Sequence, residues 1–341
     1  MHLNSIARTI RTALAVTVCL PVSLCPATAH QEAKKNIPRD SIRVTSVAVN
    51  VYAIAEGRHG RLVRDLKKDD FELTEDSVPQ KIEYFSQETN MALSLGLAID
   101  TSVSQGRLLG TEQEAAKKFL SYILRGGDQA FVMNFDADVR LLKDFTNASV
   151  DLARAIDSSQ INGTGRSILP EDAAAPAGGT HLYDAVYLAS SELMKARFGR
   201  KVLVLVTDGQ NQGSKVNLQG SIESAQRADV IVYSIVVSDP EFYSLLGRTY
   251  HGDKDVRELA RETGGGTIRI RSVEQIGQAF EQIARELHSQ YRLGYSPSNL
   301  RHDGSFRRIR VKVRGHNYNV RTRTGYYGPV DDTAEAKNRS R

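Results

Sequence analysis

Apolar and polar residues alternate from Val44 to Ile54 (VTSVAVNVYAI). They do so again in Phe71–Asp76 (FELTED) and Gln80–Phe85 (QKIEYF), after a GRHG turn and on either side of Val78-Pro79. A period of two with no helical period predicts strands, so residues 42–88 read as an N-terminal β module. From Met91 the texture changes. Ala92–Asp100 (ALSLGLAID), Gln129–Phe135 (QAFVMNF), Lys201–Asp208 (KVLVLVTD), Asp229–Ser238 (DVIVYSIVVS) and Gly266–Ile270 (GTIRI) are apolar runs separated by helical patterns. Continuous runs of this kind suit strands covered on both faces, which predicts an α/β fold with a mainly parallel sheet flanked by helices over residues 89–290. Asp138–Phe145 (DVRLLKDF) follows its neighbour after a very short turn and is expected as an antiparallel edge strand.

The helix signals are specific. Thr111-x-x-Glu114 reads as a capping box ahead of EAAKKFLSYIL, with Gly126-Gly127 closing that helix. Ser272-x-x-Gln275 opens a second helix whose Ile276, Ala279, Phe280, Ile283 and Leu287 make one apolar stripe. Between the helical patterns, Ser158–Gly179 is a long loop rich in Gly, Pro and Ala, a length that compact domains reserve for functional or mobile segments. The β pattern returns in YRLGYSP, SFRRIRVKVRG and YNVRTRTGYY, giving a C-terminal β segment over residues 291–328 and a tail over 329–341. Because the β patterns bracket the α/β region, residues 42–88 and 291–328 are expected to pair in one sandwich-like module.

Composition narrows the setting. Arg8 and Arg11, the apolar Thr12–Cys25 and the Ala27-Thr28-Ala29 cleavage site read as a signal peptide over residues 1–29, followed by a polar leader over 30–41. Leu24 stands where a lipoprotein signal needs a small residue before Cys25. Both cysteines of the chain, Cys19 and Cys25, fall inside that segment. An exported mature chain would then hold no disulfide, thiolate metal site or cysteine nucleophile. The formal net charge of +5, with Arg8 and Arg11 contributing two of the positive charges, is too near neutral to argue for nucleic acid as a partner.

The candidate chemistry lies at strand ends. In open α/β sheets, ligands bind beyond the carboxyl ends of the strands, near the point where strand order reverses. Asp100 ends one apolar strand and continues as Asp100-x-Ser102-x-Ser104; Asp208 ends another. Gly178-Gly179-Thr180 stands just ahead of the helical YDAVYLASSELMKA, which brings the Thr180 hydroxyl to the same edge. Asp100, Ser102, Ser104, Thr180 and Asp208 are an all-oxygen set, suited to a hard cation: Mg2+ first, with Mn2+ or Ca2+ as the other candidates. Two carboxylates formally balance the ion, and a position left open on it would accept a carboxylate from outside.

D-x-S-x-S, a distant Gly-Gly-Thr and a later T-D-G together resemble the metal-ion-dependent adhesion site of von Willebrand factor type A domains, over about residues 90 to 290. The resemblance implies a doubly wound, Rossmann-like domain in which Ser102, Ser104 and Thr180 ligate the ion and Asp100 and Asp208 act mostly through water. The flanks, DLKKDDFELTEDSVPQKIEYF, YRLGYSP and FRRIRVKV…RTRTGYY, resemble secreted bacterial proteins of the acidobacterial type related to these domains. One departure is Ser77, where that family has glycine in a turn that needs a positive φ.

Rival motifs are weaker. Asp136 and Asp138 (FDADV) resemble the nucleophile motif of haloacid-dehalogenase phosphatases, but Arg140 stands where Thr or Val is needed. GTGRSI (Gly163–Ile168) lacks the third glycine and preceding strand of a dinucleotide fingerprint, and there is no G-x-S-x-G elbow. His181 reads as a loop or cap histidine. In FRRIRVKVR, Ile309, Val311 and Val313 alternate with Arg308, Arg310, Lys312 and Arg314, read as the solvated protection of an edge strand. The expectation is an exported, non-enzymatic module, periplasmic or extracellular, that captures an Asp or Glu of a protein partner. The alternatives are a metal-independent structural or assembly subunit of the cell envelope and a phosphatase-like hydrolase.

Overall fold

The structure, a computed structural model, describes residues 48–87, 91–161, 179–238, 244 and 253–330. The expected signal peptide and leader, Gly178, the GTGRSI stretch and nearly all of the tail lie outside the described residues.

Five strands come first: β1 (Val49–Glu56), β2 (Leu62–Val63), β3 (Phe71–Glu75), β4 (Val78–Gln80) and β5 (Tyr84–Gln87). Next come β6 (Leu93–Asp100), β7 (Gln129–Phe135), β8 (Val139–Thr146), β9 (Arg200–Thr207), β10 (Val230–Val236) and β11 (Thr267–Arg269), which form one sheet in the order β11-β10-β9-β6-β7-β8. All pairings in it are parallel except β7 with β8, which is antiparallel at the edge. The chain enters at β6, builds outward to β8, and returns to the other side of β6 with β9. The strand order therefore reverses between β6 and β9.

The helices are α1 (Leu109–Ile123), α2 (Ser149–Asp157), α3 (Leu182–Leu188, continued by a π-helical turn over Ala189–Met194), α4 (Leu218–Arg227), α5 (Asp253–Thr263) and α6 (Ile276–Leu287). Because successive strand side chains point to opposite faces, β6 feeds two cores. Leu95, Leu97 and Ile99 pack with α1, α2 and α6, while Ala98 packs with α3, α4 and α5. This explains why β6, β9 and β10 are apolar without alternation.

Two helix starts differ from expectation. The turn Val103–Gln105 hands the chain directly into α1, with the Leu108 N–H donating to the Gln105 carbonyl, so the helix begins at Leu109 and Thr111 lies inside its first turn. The Thr111–Glu114 capping box does not form. Ahead of α6, Val273–Gln275 is a short 3-10 turn, and the Gln275 side chain accepts from the Arg271 N–H at 2.9 Å rather than from Ser272.

The last strands are β12 (Tyr291–Tyr295), β13 (Phe306–Val313), β14 (Asn319–Arg321) and β15 (Gly325–Tyr327). They interleave with the first five: one sheet runs β14-β1-β12-β5 with β2 beside β1, the other β15-β13-β3-β4. Val51, Ala53, Leu73, Leu293, Ile309 and Val311 share the core between them. β13 pairs with β15 over Phe306–Arg308 and with β3 over Ile309–Val313, so its exposed Arg308, Arg310 and Lys312 form a solvated face, and along Arg310–Lys312 the strand has a ladder on one side only. Arg307 turns the other way and is buried, with its Nη1 3.7 Å from Glu75 Oε1; the Tyr295 and Tyr326 hydroxyls donate to Glu75 Oε2 at 2.6 and 2.9 Å. The β3–β4 hairpin turns on Asp76 (φ 48) and Ser77 (φ 70), the left-handed pair that a two-residue hairpin needs. Asp76 accepts the Arg308 N–H at 2.9 Å, which anchors the turn. Ser77 bears the strain that glycine would avoid.

Gly96, in the middle of β6, is fixed by packing. A Cβ there would stand 2.4 Å from Phe131 Cζ and 2.9 Å from Leu203 Cδ1. Phe131 is fully buried and set edge-on to Phe145 at 5.0 Å, so its ring has no room to retreat. Gly96→Ala should therefore lower stability by about 1–3 kcal/mol, the range for overpacking a closed core. A urea midpoint unchanged from wild type would show that the ring can move aside.

Candidate metal centre

Asp100 stands at the carboxyl end of β6, where its neighbour on β9 is Thr207. Asp100 is fully buried: Oδ1 accepts the Ser102 N–H at 2.9 Å and Oδ2 accepts the Thr207 hydroxyl at 2.6 Å. The chain then bends into the Val103–Gln105 turn, which sets the two serine hydroxyls 3.0 Å apart. Ser104 in turn donates to Asp208 Oδ2 at 2.6 Å, across 104 residues of sequence. Asp208 Oδ1 accepts the Gln210 N–H at 2.9 Å, and the Gly209 N–H donates to Thr207 Oγ1 at 2.9 Å. Gly209 has φ 79, which explains why glycine follows the aspartate.

Thr180 arrives by its backbone. Its N–H and C=O each bond Gln212 at 2.9 Å, an isolated bridge to the loop that follows Asp208, and the neighbouring His181 N–H donates to the Asp136 carbonyl at 2.7 Å. The approach is close: a Cβ on Gly179 would lie 3.0 Å from the Gln212 carbonyl oxygen and 3.3 Å from Ala137 Cα. Among the described residues the Thr180 hydroxyl makes no hydrogen bond to the other four. The structure thus links Asp100, Ser102, Ser104 and Asp208 through Thr207 and direct hydrogen bonds, and sets Thr180 beside them through the Gln212 loop.

The rival residues sit otherwise. Asp136 is buried and engaged: its Oδ2 accepts the Thr101 hydroxyl at 2.7 Å and Arg140 Nη2 at 2.6 Å, and its Oδ1 accepts the Asp138 N–H at 3.1 Å. Asn134 donates to Thr101 Oγ1 at 3.1 Å, which completes a buried network under the strand ends. His181 Nδ1 is 3.8 Å from Asp184 Oδ2, and that carboxylate accepts the N–H groups of Lys215 and Val216.

One acid here was not read from the sequence as part of the site. Glu112, in the first turn of α1, is buried (1% exposed), and its Oε2 has no hydrogen-bond partner. With the Gln105 amide oriented to satisfy both its ends, Gln105 donates to Glu112 Oε1 at 3.2 Å and accepts from the Asp208 N–H at 3.1 Å. The signal was available: Glu112 falls on the helical stripe of Leu109, Ala116, Phe119, Leu120 and Ile123, where an apolar residue is expected.

Three buried acids so close cannot all ionise cheaply. Burial, and then the charge of Asp208, pushes Asp100 up to about 7 against the pull of its hydrogen bonds from Ser102 and Thr207. Burial, followed by the charges of Asp100 and Asp208, holds Glu112 well above the usual carboxylate range. Among the described residues no cluster of three or more His, Cys, Asp or Glu is arranged to hold a metal. This site is of another kind, in which hydroxyls outnumber carboxylates and the missing element is positive charge. That donor set fits a hard divalent cation.

The family model of the von Willebrand factor type A domain matches residues 95–210. The chain contains a von Willebrand factor type A domain. Among solved structures, it resembles an aerotolerance-related membrane protein from Bacteroides fragilis at 17% identity, covering 57% of this chain and 98% of that one, with a TM-score of 0.43. A von Willebrand factor type A protein from Catenulispora acidiphila shows 12% identity, with 79% and 76% of the two chains covered and a TM-score of 0.47. Proximal thread matrix protein 1 from the mussel byssus, solved with a zinc-occupied MIDAS motif, shows 15% identity over 62% of this chain and 49% of its own, with a TM-score of 0.47. No curated protein matches the chain significantly.

Glu112 makes the electrostatics of the site testable. A raised folded-state pKa means that the fold favours the protonated acid. Its stabilising effect is complete below the unfolded value of 4.5 and is lost as the pH rises toward the folded value. In EDTA, Glu112→Gln should therefore gain stability relative to wild type as the pH goes from 4 to 8. Denaturation curves for the two proteins that stay parallel across that range would show that Glu112 ionises freely.

Proposed function

We propose that the domain binds a divalent cation, Mg2+ in the first place, through Ser102, Ser104 and Thr180, with Asp100 and Asp208 held directly or through water. The open coordination position then captures an Asp or Glu of a protein partner. The single observation that carries this reading is the burial of Asp100 (0% exposed) and Asp208 (1%) beside a run of hydroxyls, with no ion pair to Asp100 among the described residues. Buried carboxylates are stable when a cation compensates them. The bound cation would supply the electrophilic position; the chain's own residues hold the donors in place and exclude competing side chains. Val103, half exposed between the two serines, gives a partner an apolar contact beside that position.

Binding is favoured over hydrolysis because Asp136, the residue a phosphatase reading needs, is buried and accepts three hydrogen bonds, one of them from Arg140. The exported location rests on the leader-like residues 1–29. A second reading has its own observation: Ser104 and Asp208 already satisfy each other at 2.6 Å, as a metal-independent assembly subunit would need.

The two readings separate in one experiment. A ligand at a hundredfold excess over its Kd stabilises the native state by about 2.7 kcal/mol. Mg2+ should then raise Tm by several degrees over EDTA, and Ser104→Ala, which keeps the fold, should lose most of that rise. Calorimetric titration with Mg2+ should show one site in the wild type and none in Asp100→Ala. A Tm indifferent to Mg2+, Mn2+ and Ca2+ would favour the metal-independent subunit.

A further inference from the structure

At the end of the parallel sheet away from the carboxylates, a cleft of about 290 Å³ opens between β1 and the starts of β9 and β10. Met91, Arg197, Phe198, Lys201, Asp229 and Arg323 are among its lining residues. Its charges do not balance. The one carboxylate, Asp229, is held by Arg323, whose other terminal nitrogen donates to the Asn50 carbonyl at 2.8 Å. Arg197 is stacked 4.2 Å over the Phe145 ring. Lys201 is only 8% exposed as a residue; among the described residues its ammonium makes no ion pair or hydrogen bond, and it is not closed off from solvent. Its burial disfavours the ammonium, and the nearby Arg323 disfavours it further, against a pull from Asp229. A partly desolvated cation without a partner gains from an anion brought against it.

The mouth of the cleft is apolar and fixed in place. Phe198 is 92% exposed, held in a turn that Gly199 determines: φ there is +85, and a Cβ would stand 2.4 Å from the Ala92 carbonyl oxygen. The ring is therefore presented at the rim beside Met91. An unpaired cation at the base of a small cleft with apolar residues at its mouth is the layout of a small-molecule site with one polar anchor.

We propose that this cleft binds a small organic anion, with its carboxylate or phosphate group against Lys201 and its apolar body against Met91 and Phe198. The test uses the full chain in EDTA, so that any cation held by Asp100 and Asp208 contributes nothing. Calorimetry or ligand-observed NMR would compare phenyl phosphate, 3-phenylpropionate and the neutral 3-phenylpropanol. At least one anion should bind the wild type saturably, the alcohol should not, and whichever anion binds tighter identifies the headgroup class. Lys201→Met should weaken that binding at least tenfold, with the Tm of the ligand-free variant read alongside to show that it folds. Phe198→Ala, at an exposed position, should weaken it severalfold and give an independent reading should Lys201→Met fold poorly. Absence of saturable binding by either anion, or an affinity unchanged in both variants, would overturn the proposal.

Discussion

Two buried carboxylates at the reversal of strand order are the constraint on which the rest of the domain turns. Asp100 and Asp208 are far apart in the chain and are brought to one edge because β9 returns to the opposite side of β6 from β7. Burial, and after it the charge of Asp208, raises Asp100 to about 7. Everything packed around them serves to hold that arrangement. Thr207 and the Ser102 N–H donate to Asp100, Ser104 and the Gln210 N–H donate to Asp208, and Gly209 lets the chain turn away at once. A sheet apolar on both faces lets strands end in acids this deeply buried, because the cost of the site is spread over two hydrophobic cores.

The fold was legible where pattern and packing say the same thing. Ala92–Asp100 and Lys201–Asp208 could only be strands covered on both faces, and the antiparallel β8 followed from the shortness of the turn before it. The sandwich could be expected from the bracketing β patterns because its strands alternate, as Phe306–Val313 does. What could not be read was the point where a local signal loses to a tertiary one. Thr111–Glu114 has the form of a capping box, yet the turn that positions Ser104 starts the helix earlier. The basic run of β13 reads as an edge guard along its whole length because sequence alone cannot show that β15 takes its first residues while Arg310 and Lys312 pair on one side only.

The same distinction applies at the candidate site. Asp100, Ser102, Ser104 and Asp208 stand at strand ends, where a short motif fixes position, so their convergence follows from the topology. Glu112, Gln105 and Arg307 are polar residues on apolar stripes, and such residues acquire meaning only once their buried partners are known. Glu112 departs from the helical period and Arg307 from the strand period. Each departure marks a place where a buried polar contact overrides the hydrophobic pattern.

β9 connects the two ends of this chemistry. Lys201 lies at its beginning and Thr207, bonded to Asp100, at its end, roughly 20 Å apart at strand rise. The charges are segregated accordingly. The carboxyl ends of the strands gather Asp100, Asp208 and Glu112, while the amino ends gather Arg197, Lys201 and Arg323. Asp229, paired with Arg323, offsets part of the charge at the amino end, and the buried Val202–Val206 run keeps the two ends from neutralising each other. Had Lys201 been placed beside Asp100 and Asp208, the fold would gain an ion pair, and the proposed cation and anion sites would each lose the charge that recommends them. Within the chain, protonation of Asp100, raised to about 7 by burial, and the Asp229–Arg323 pair answer these charges, and a bound ion of opposite sign would stabilise either end further.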